Sequence, residues 1–188
     1  LQQVLRLILS ELQQVVPYDS ASVQHLRHDP IIGASRMVLI AGVGFEDIDE
    51  LIGISFDLQA DDNPNNLVAS SRAPVIIEDV TAGYAEFRRE PHFSAHIRSW
   101  LGVPLLFGDR LIGMITLDKR EAGFYTDEYA ELALAFAAQA AIAVENANLF
   151  EAEREQRELA EALRQATTAV SSSLDLDQIL DQILEQVD

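Results

Sequence analysis

Apolar residues recur along the chain with two different periods, and the changes of period mark its elements. Residues 1 to 16 place Leu1, Val4, Leu5, Ile8, Leu9, Leu12 and Val15 three and four apart, the stripe of an amphipathic helix that Pro17 stops. Residues 21 to 28 and 36 to 42 predict strands joined by the turn-like His28-Asp29-Pro30 and Gly33, with Gly42 and Gly44 ending the second. Phe45 to Leu51 leads to a third apolar stretch at 52 to 58. Asn63 is a cap-type residue and Pro64 suits the first turn of a helix over about 64 to 72. Val75 to Ile77 predicts a short strand. Residues 79 to 97 are the least regular part of the chain, and functional loops tend to be irregular segments on a rigid scaffold.

The pattern then becomes plainer. Residues 99 to 107 and 111 to 117 are apolar runs separated by Gly108-Asp109-Arg110, which predicts an antiparallel hairpin. Neither run alternates cleanly between apolar and polar, so both faces are expected to be covered and the hairpin to lie at the centre of a sheet. Pro104 argues for a bulge or an edge, because it cannot donate to a ladder. Thr126 is a good N-cap for the next helix, where Asp127 and Glu128 favour the first turn through the helix dipole. From Tyr129 to Val144 only Glu131 and Gln139 interrupt an Ala-rich sequence, which predicts burial nearly all round.

Beyond that stretch, Ile142, Leu149, Ala152, Leu159, Leu163, Ala166 and Val170 follow the steps of a coiled-coil seam if Glu145 and Gln156 are its polar members. Glu153 with Arg157 and Arg154 with Glu158 lie at i,i+4 outside it. A helix from 127 to about 170 would be roughly 65 Å long, more than one domain needs. Its tail has no core of its own to cover. A homodimer through Ile142, Leu149, Leu159 and Leu163 is therefore expected. Residues 176 to 188 repeat the apolar pattern of the opening helix, preceded by the helix-start chemistry of Ser171-Ser172-Ser173. The expected organisation is a domain over 1–150, a coiled-coil linker helix over 151–172, and over 173–188 the truncated first helix of a following module.

Trp100-Leu-Gly-Val-Pro-Leu-Leu, Leu111-Ile-Gly-Met-Ile-Thr-Leu, the segment Phe124 to Glu128 and the helix from Ala138 to Ala147 resemble, in order and spacing, the C-terminal half of a GAF domain. The resemblance implies an α+β, PAS-related fold: a central antiparallel sheet flanked by helices, with a long C-terminal signalling helix. It also implies a small-molecule pocket on one face of the sheet, roofed by residues 55 to 70 and 79 to 97, and helices on the other that often pair with a second subunit. Cyclic-nucleotide-binding members carry Asn-Lys, a later Phe and Asp-Glu. This chain has Asp118-Lys119, Phe124 and Asp127-Glu128, so Asp replaces Asn and the gap is shortened. Bilin attachment and methionine sulfoxide reduction rely in this family on cysteine. With no cysteine in the chain, attachment within the module and that reductase chemistry are excluded.

Composition narrows the partners. The 188 residues are 48% hydrophobic, enough for one good core, and 31 acidic against 13 basic side chains leave a net charge of −18. That charge repels phosphate backbones and anionic lipid, so neither nucleic acid nor membrane is an expected partner. The absence of cysteine fits a reducing, cytoplasmic setting. Helix residues begin at the first position, which suggests a segment of a longer protein.

No nucleophile elbow, P-loop or Rossmann glycine run is present, and no catalytic residue is nominated. Arg98, Trp100 and Gly102 share one face of the first hairpin strand, where a charge, a flat aromatic and a missing side chain suit an anionic or planar ligand. The expected ligand-binding set is Arg98, Trp100, Phe56, Asp79, Phe93, His92 and His96. The competing reading puts Trp100 in the core and pairs Arg98 with Glu86 or Glu90 at the rim. His92 and His96, four apart near Asp79 and Glu90, also have the minimum geometry for a haem or metal site, although no metal site is assigned. The function expected is a non-catalytic sensor and dimerisation module of a multidomain signalling protein of the histidine kinase or cyclic-dinucleotide enzyme type. Its ligand is of unknown identity, and neighbouring sensor or output modules lie in cis. The alternative is a haem- or metal-binding sensor using His92 and His96.

Overall fold

The chain folds, in order, as helix α1 (Gln2–Leu12), strands β1 (Ser20–His28) and β2 (Ser35–Val43), helix α2 (Ile48–Leu51), β3 (Ser55–Asp57), α3 (Asn65–Ser71), β4 (Val75–Ile77), α4 (Val80–Gly83), a 3-10 turn (Ala85–Arg88), β5 (Ser99–Phe107), β6 (Arg110–Lys119) and α5 (Asp127–Glu185). This computed structural model describes the backbone of residues 1–28, 33–60, 64–88 and 96–185, and side chains as far as residue 168. The strands form one antiparallel sheet in the order β3-β2-β1-β6-β5-β4. It is the expected α+β architecture.

One face of the sheet is mostly apolar, with Ser99 of β5 and His25 of β1 as buried polar residues in its rows. Ala21 and Val23 of β1, Leu101, Val103 and Leu105 of β5, and Ile115 and Leu117 of β6 meet Leu5, Leu9 and Leu12 of α1 and Ala133, Ala137, Ala140, Ala141 and Val144 of α5. The alanines matter because small side chains let a helix axis come close to the sheet. By length and composition alone, Asp127–Thr168 contains a window apolar enough to cross a membrane. Within the domain those alanines are buried in the core instead. The Tyr18 hydroxyl donates to the Leu9 carbonyl at 2.7 Å, tying α1 to the start of β1, and burial pushes its pKa up to about 12.

The hairpin lies next to β1 in the middle of the sheet, with both faces covered. Phe107 pairs with Arg110, so the link is the two residues Gly108-Asp109 rather than three, with Gly108 at φ +59°. Pro104 sits within β5, two residues beyond the last β5 residue paired with β4, and one residue before a register shift at Leu105/Leu106. Its missing N–H is tolerated there. A second register shift falls where β1 meets β2: Val23 pairs with Ala41 and Gln24 with Leu39, which leaves Ile40 as an extra residue. The apolar stretch at 52 to 58 yields strand only at Ser55–Asp57. Residues 48 to 51 form a helical turn that takes Ile52 N–H onto Ile48, and Gly53 turns at φ +94°. Helix α3 begins at Asn65 with Pro64 before it, and Asn63 lies outside the described residues.

Thr126 caps α5 with a long bond, 3.4 Å from Oγ1 to the Tyr129 N–H. The helix runs past the expected end near 170 and through Ser171–Ser173, because serine in a helix interior costs only about half a kcal/mol relative to alanine. Glu145 is not an outward seam residue. It is buried, and one of its oxygens accepts from Arg110 Nη2 of β6 at 2.6 Å. The chain divides into two units, Leu1–Asn146, which holds the sheet and both cores, and Ala147–Asp188. In the second, Leu149, Phe150, Leu159 and Leu163 are all well over half exposed. The ion pairs Glu153–Arg157 and Arg154–Glu158 form as spaced, joined by Glu161–Arg164.

Candidate functional site

The other face of the same strands carries a polar row. Ser20, Ser22 and Gln24 of β1 lie beside Thr116 and Asp118 of β6, and the register sets Ser20 opposite Asp118 and Ser22 opposite Thr116. Ser20 Oγ donates to Asp118 Oδ2 at 2.8 Å, and the Ser22 and Thr116 hydroxyls are 2.7 Å apart. Gln24 Nε2 reaches Ser22 Oγ at 3.4 Å, and its carbonyl accepts from Asn65 Nδ2 of α3 at 2.9 Å. All six side chains are buried. Buried polar groups are costly unless paired, and the cross-strand bonds meet most of that cost.

A cavity of about 110 Å³ opens above this row. Its floor is Ser22, Gln24, Thr116, Asp118, Leu39 and Trp100; its walls and roof come from Phe45, Leu51, Ile54, Phe56, Pro64, Asn65, Glu86 and Phe87. The chain shapes the floor through Gly102: a Cβ there would lie 2.1 Å from the Trp100 ring and 2.7 Å from Val68, so the indole lies where a side chain would otherwise stand. Trp100 is buried with Met37, Val68, Val80, Phe87, Ile97 and Met114 in a second core on this face, yet one of its surfaces meets the cavity. Space above Trp100 is thus open, and the room left by Gly102 is filled by Trp100 itself.

Asp118 is the most perturbed group of the floor. Its side chain is 3% exposed, and burial pushes its pKa up to about 7, with the Ser20 hydroxyl pulling down and the nearby Asp19 pushing up. Asp19 is itself held by Lys119 Nζ at 3.1 Å and the Arg120 N–H at 2.8 Å.

Of the residues expected to bind ligand, Trp100 and Phe56 line the cavity. Arg98 and Asp79 do not. They pair with each other at the surface: Arg98 Nε is 3.2 Å from both Asp79 oxygens and Nη2 also bonds to Oδ2, which holds the Asp79 carboxyl well below the usual carboxylate range. Asp79 further caps α4 through the Thr81 N–H and hydroxyl. Arg98 is therefore at the rim, where it pairs with Asp79; Glu90 lies outside the described residues. His92 and Phe93 lie outside the described residues; His96 is exposed, in a left-handed turn at φ +55°. Among the described residues no three His, Asp or Glu gather into a metal-binding group.

Sequence reasoning did not nominate Ser22, Gln24, Asn65, Thr116 or Asp118 for the site. The signal was present in Ser20-Ala-Ser22-Val-Gln24 and Met114-Ile-Thr116-Leu-Asp118, two short runs in which polar and apolar residues alternate on period two.

Residues 1–144 match the GAF domain family, and the chain belongs to it. Similar solved structures agree on the fold. The GAF domain of a phosphoenolpyruvate-protein phosphotransferase from Coxiella burnetii is 20% identical over 80% of this chain and 86% of that one, with a TM-score of 0.63. A domain of a putative two-component sensor histidine kinase from Sinorhizobium meliloti is 22% identical over 82% and 96%, with a TM-score of 0.57. A type II free methionine-R-sulfoxide reductase from Thermoplasma acidophilum is 20% identical over 77% and 92%, with a TM-score of 0.59. No curated protein matches the chain. GAF domains are signalling modules, generally without catalytic activity of their own, found in histidine kinases and other regulators.

Proposed function

We propose that this chain is a non-catalytic, cytoplasmic sensor and dimerisation module of a larger signal-transduction protein, of the histidine kinase or cyclic-dinucleotide enzyme type, which takes a small molecule into the cavity above Trp100. The observation that carries this reading is the cavity itself. A buried polar row on one face of the sheet, left partly uncovered under an aromatic roof, adds nothing to stability that an apolar face would not, but gives a ligand both apolar surface and directional partners. Trp100, the single tryptophan, reports on it. A thermal-shift screen of small metabolites of either charge, with emission followed in parallel, should find a compound that raises the melting temperature and alters Trp100 fluorescence. Saturation at a hundredfold over Kd stabilises by about 2.7 kcal/mol. A screen in which nothing binds at millimolar concentration overturns the reading.

The signal is taken to travel through α5. Leu149, Phe150, Leu159 and Leu163 leave too much apolar surface in water for a solitary helix, which supports pairing with the same helix of a second copy. Residues 173–188 then read as the first helix of a following module in cis. The doubly substituted Leu159→Asp, Leu163→Asp chain should be monomeric by light scattering and retain the melting behaviour of the domain, since neither residue belongs to its core. An unmodified chain that is monomeric at high micromolar concentration removes the dimer and the signal route together.

A further inference from the structure

The charged residues in the described lining of the cavity are all acidic. Its described lining includes two carboxylates, Asp118 and Glu86, and no lysine, arginine or histidine. The nearest cations of the surrounding strands are engaged elsewhere, Arg98 with Asp79 and Lys119 with Asp19. Asp118 accepts one hydrogen bond to its carboxylate among the described residues, from Ser20 to Oδ2, so Oδ1 is left to the cavity. An ionised carboxylate is an acceptor only, and a second bond to it must come from a donor. Around it stand Trp100, Phe45, Phe56 and Phe87, whose ring faces attract positive charge. The net charge of −18 further concentrates cations near the protein.

We propose that the cavity selects a small cation, an amidinium or ammonium carried on a compact apolar body, with Asp118 as its counter-ion and Trp100, Phe45, Phe56 and Phe87 as its aromatic surround. The inference rests on the reading of the cavity as a ligand site and specifies the ligand's class. An anion would face the Asp118 carboxylate with no lysine, arginine or histidine in the described lining. A cation completes the half-satisfied carboxylate and neutralises a buried charge that the empty protein carries at a cost. At about 110 Å³ the space is of the order of the ~150 Å³ cavities that accept one benzene.

Binding is then coupled to protons. The titratable and charged groups around Asp118 are Asp19 and Lys119, paired with each other, Tyr125 from the loop before α5, and Glu86 in the cavity lining. Without ligand, Asp118 titrates near 7. A bound cation favours the ionised form, so affinity is level above that pH and falls below it, approaching about tenfold per unit.

The test is a fluorescence titration of the full chain with benzamidine, benzamide and benzoate, three planar molecules of nearly one shape and different charge. Benzamidine should bind about tenfold or more tightly than either other probe, and Asp118→Asn should remove that advantage. The pH profile of benzamidine binding to the unmodified chain provides an independent readout should the variant fold poorly. Benzoate or benzamide binding as tightly as benzamidine, or a benzamidine affinity flat between pH 5 and 8, overturns the proposal. So does the failure of all three probes. If the metabolite screen then still yields a ligand, the cavity remains a sensor site of another class; if it yields none, the ligand site falls as well.

Discussion

Strands β1, β5 and β6 present two chemically opposed faces from alternate residues of the same backbone. Towards α1 and α5 the central residues are Ala21, Val23, Leu101, Val103, Ile115 and Leu117, all apolar, with Ser99 and His25 as buried polar residues further along the same rows. Towards the cavity they are Ser20, Ser22, Gln24, Trp100, Thr116 and Asp118. The first face contributes stability through burial, and any loss there is felt as a cavity in a packed core. The second is held by cross-strand hydrogen bonds from Ser20 to Asp118 and between Ser22 and Thr116, and by Asn65 of α3, which donates to Gln24. The contrast separates two tasks on one backbone: the residues that line the cavity are one position away from those that pack against the helices.

Truncation on the helix-covered face should have the largest effect. Leu101→Ala removes a fully buried side chain between Trp100 and Gly102 and is expected to lower unfolding free energy by about 2–5 kcal/mol in urea melts, while Trp100 emission in the native state stays the same. Next comes Asp118. Its folded pKa of about 7 lies above its ordinary value of 3.8, so between those values the native chain holds a proton that the unfolded chain has released. Stability from this group is therefore greatest at the acidic end and is lost as pH rises through 7, by an amount on the order of a few kcal/mol. Asp118→Asn should flatten that slope and stabilise the ligand-free chain at pH 8, as the difference between urea melts at pH 5 and pH 8 will show. A variant no more stable than the parent at pH 8 would mean the carboxylate is solvated.

Gly102→Ala sharpens the comparison within one residue of Leu101. The added methyl meets the Trp100 ring at 2.1 Å, so the indole must shift into the cavity. The expected cost is about 1–3 kcal/mol with a changed emission maximum, the opposite signature to Leu101→Ala. Smallest of all is Arg98→Ala. Because Arg98 faces Asp79 and not the cavity, it should leave the affinity of any cavity ligand within experimental error. A clear loss would bring the arginine back into the site.

Much of the fold was written in the sequence. The hairpin, the Ala-rich helix and the strands at 21 to 28, 36 to 42 and 75 to 77 follow from local period and turn chemistry, and these are short-range signals. Trp100 and Phe56 line the cavity: parity along the strand and the neighbouring Gly102 are local facts that point to the first, while the second follows from the roof over residues 55 to 70 that the family resemblance implies. Arg98 does not line it, since its direction depends on Asp79, nineteen residues away across an irregular segment, and no period reports an ion pair of that kind. Glu145 was misread for the same reason, its partner Arg110 lying on the hairpin. Asp118 stood out only as a departure from a family motif, although its alternation with Leu117 and Thr116 already fixed which way it points.

Ile40 shows how differently two kinds of sequence change act on such a sheet. As the extra residue of β2, it places Leu39 on the cavity side and Ala41 on the helix side although the two share parity. Its own side chain is only half-buried, so substitution there is mild. Deletion is another matter: with the register restored, Leu39 and Met37 turn to the wrong face, and Phe56 of β3, which pairs with Met37, is carried with them. A change of side chain at position 40 is therefore tolerated where the loss of that one residue is not.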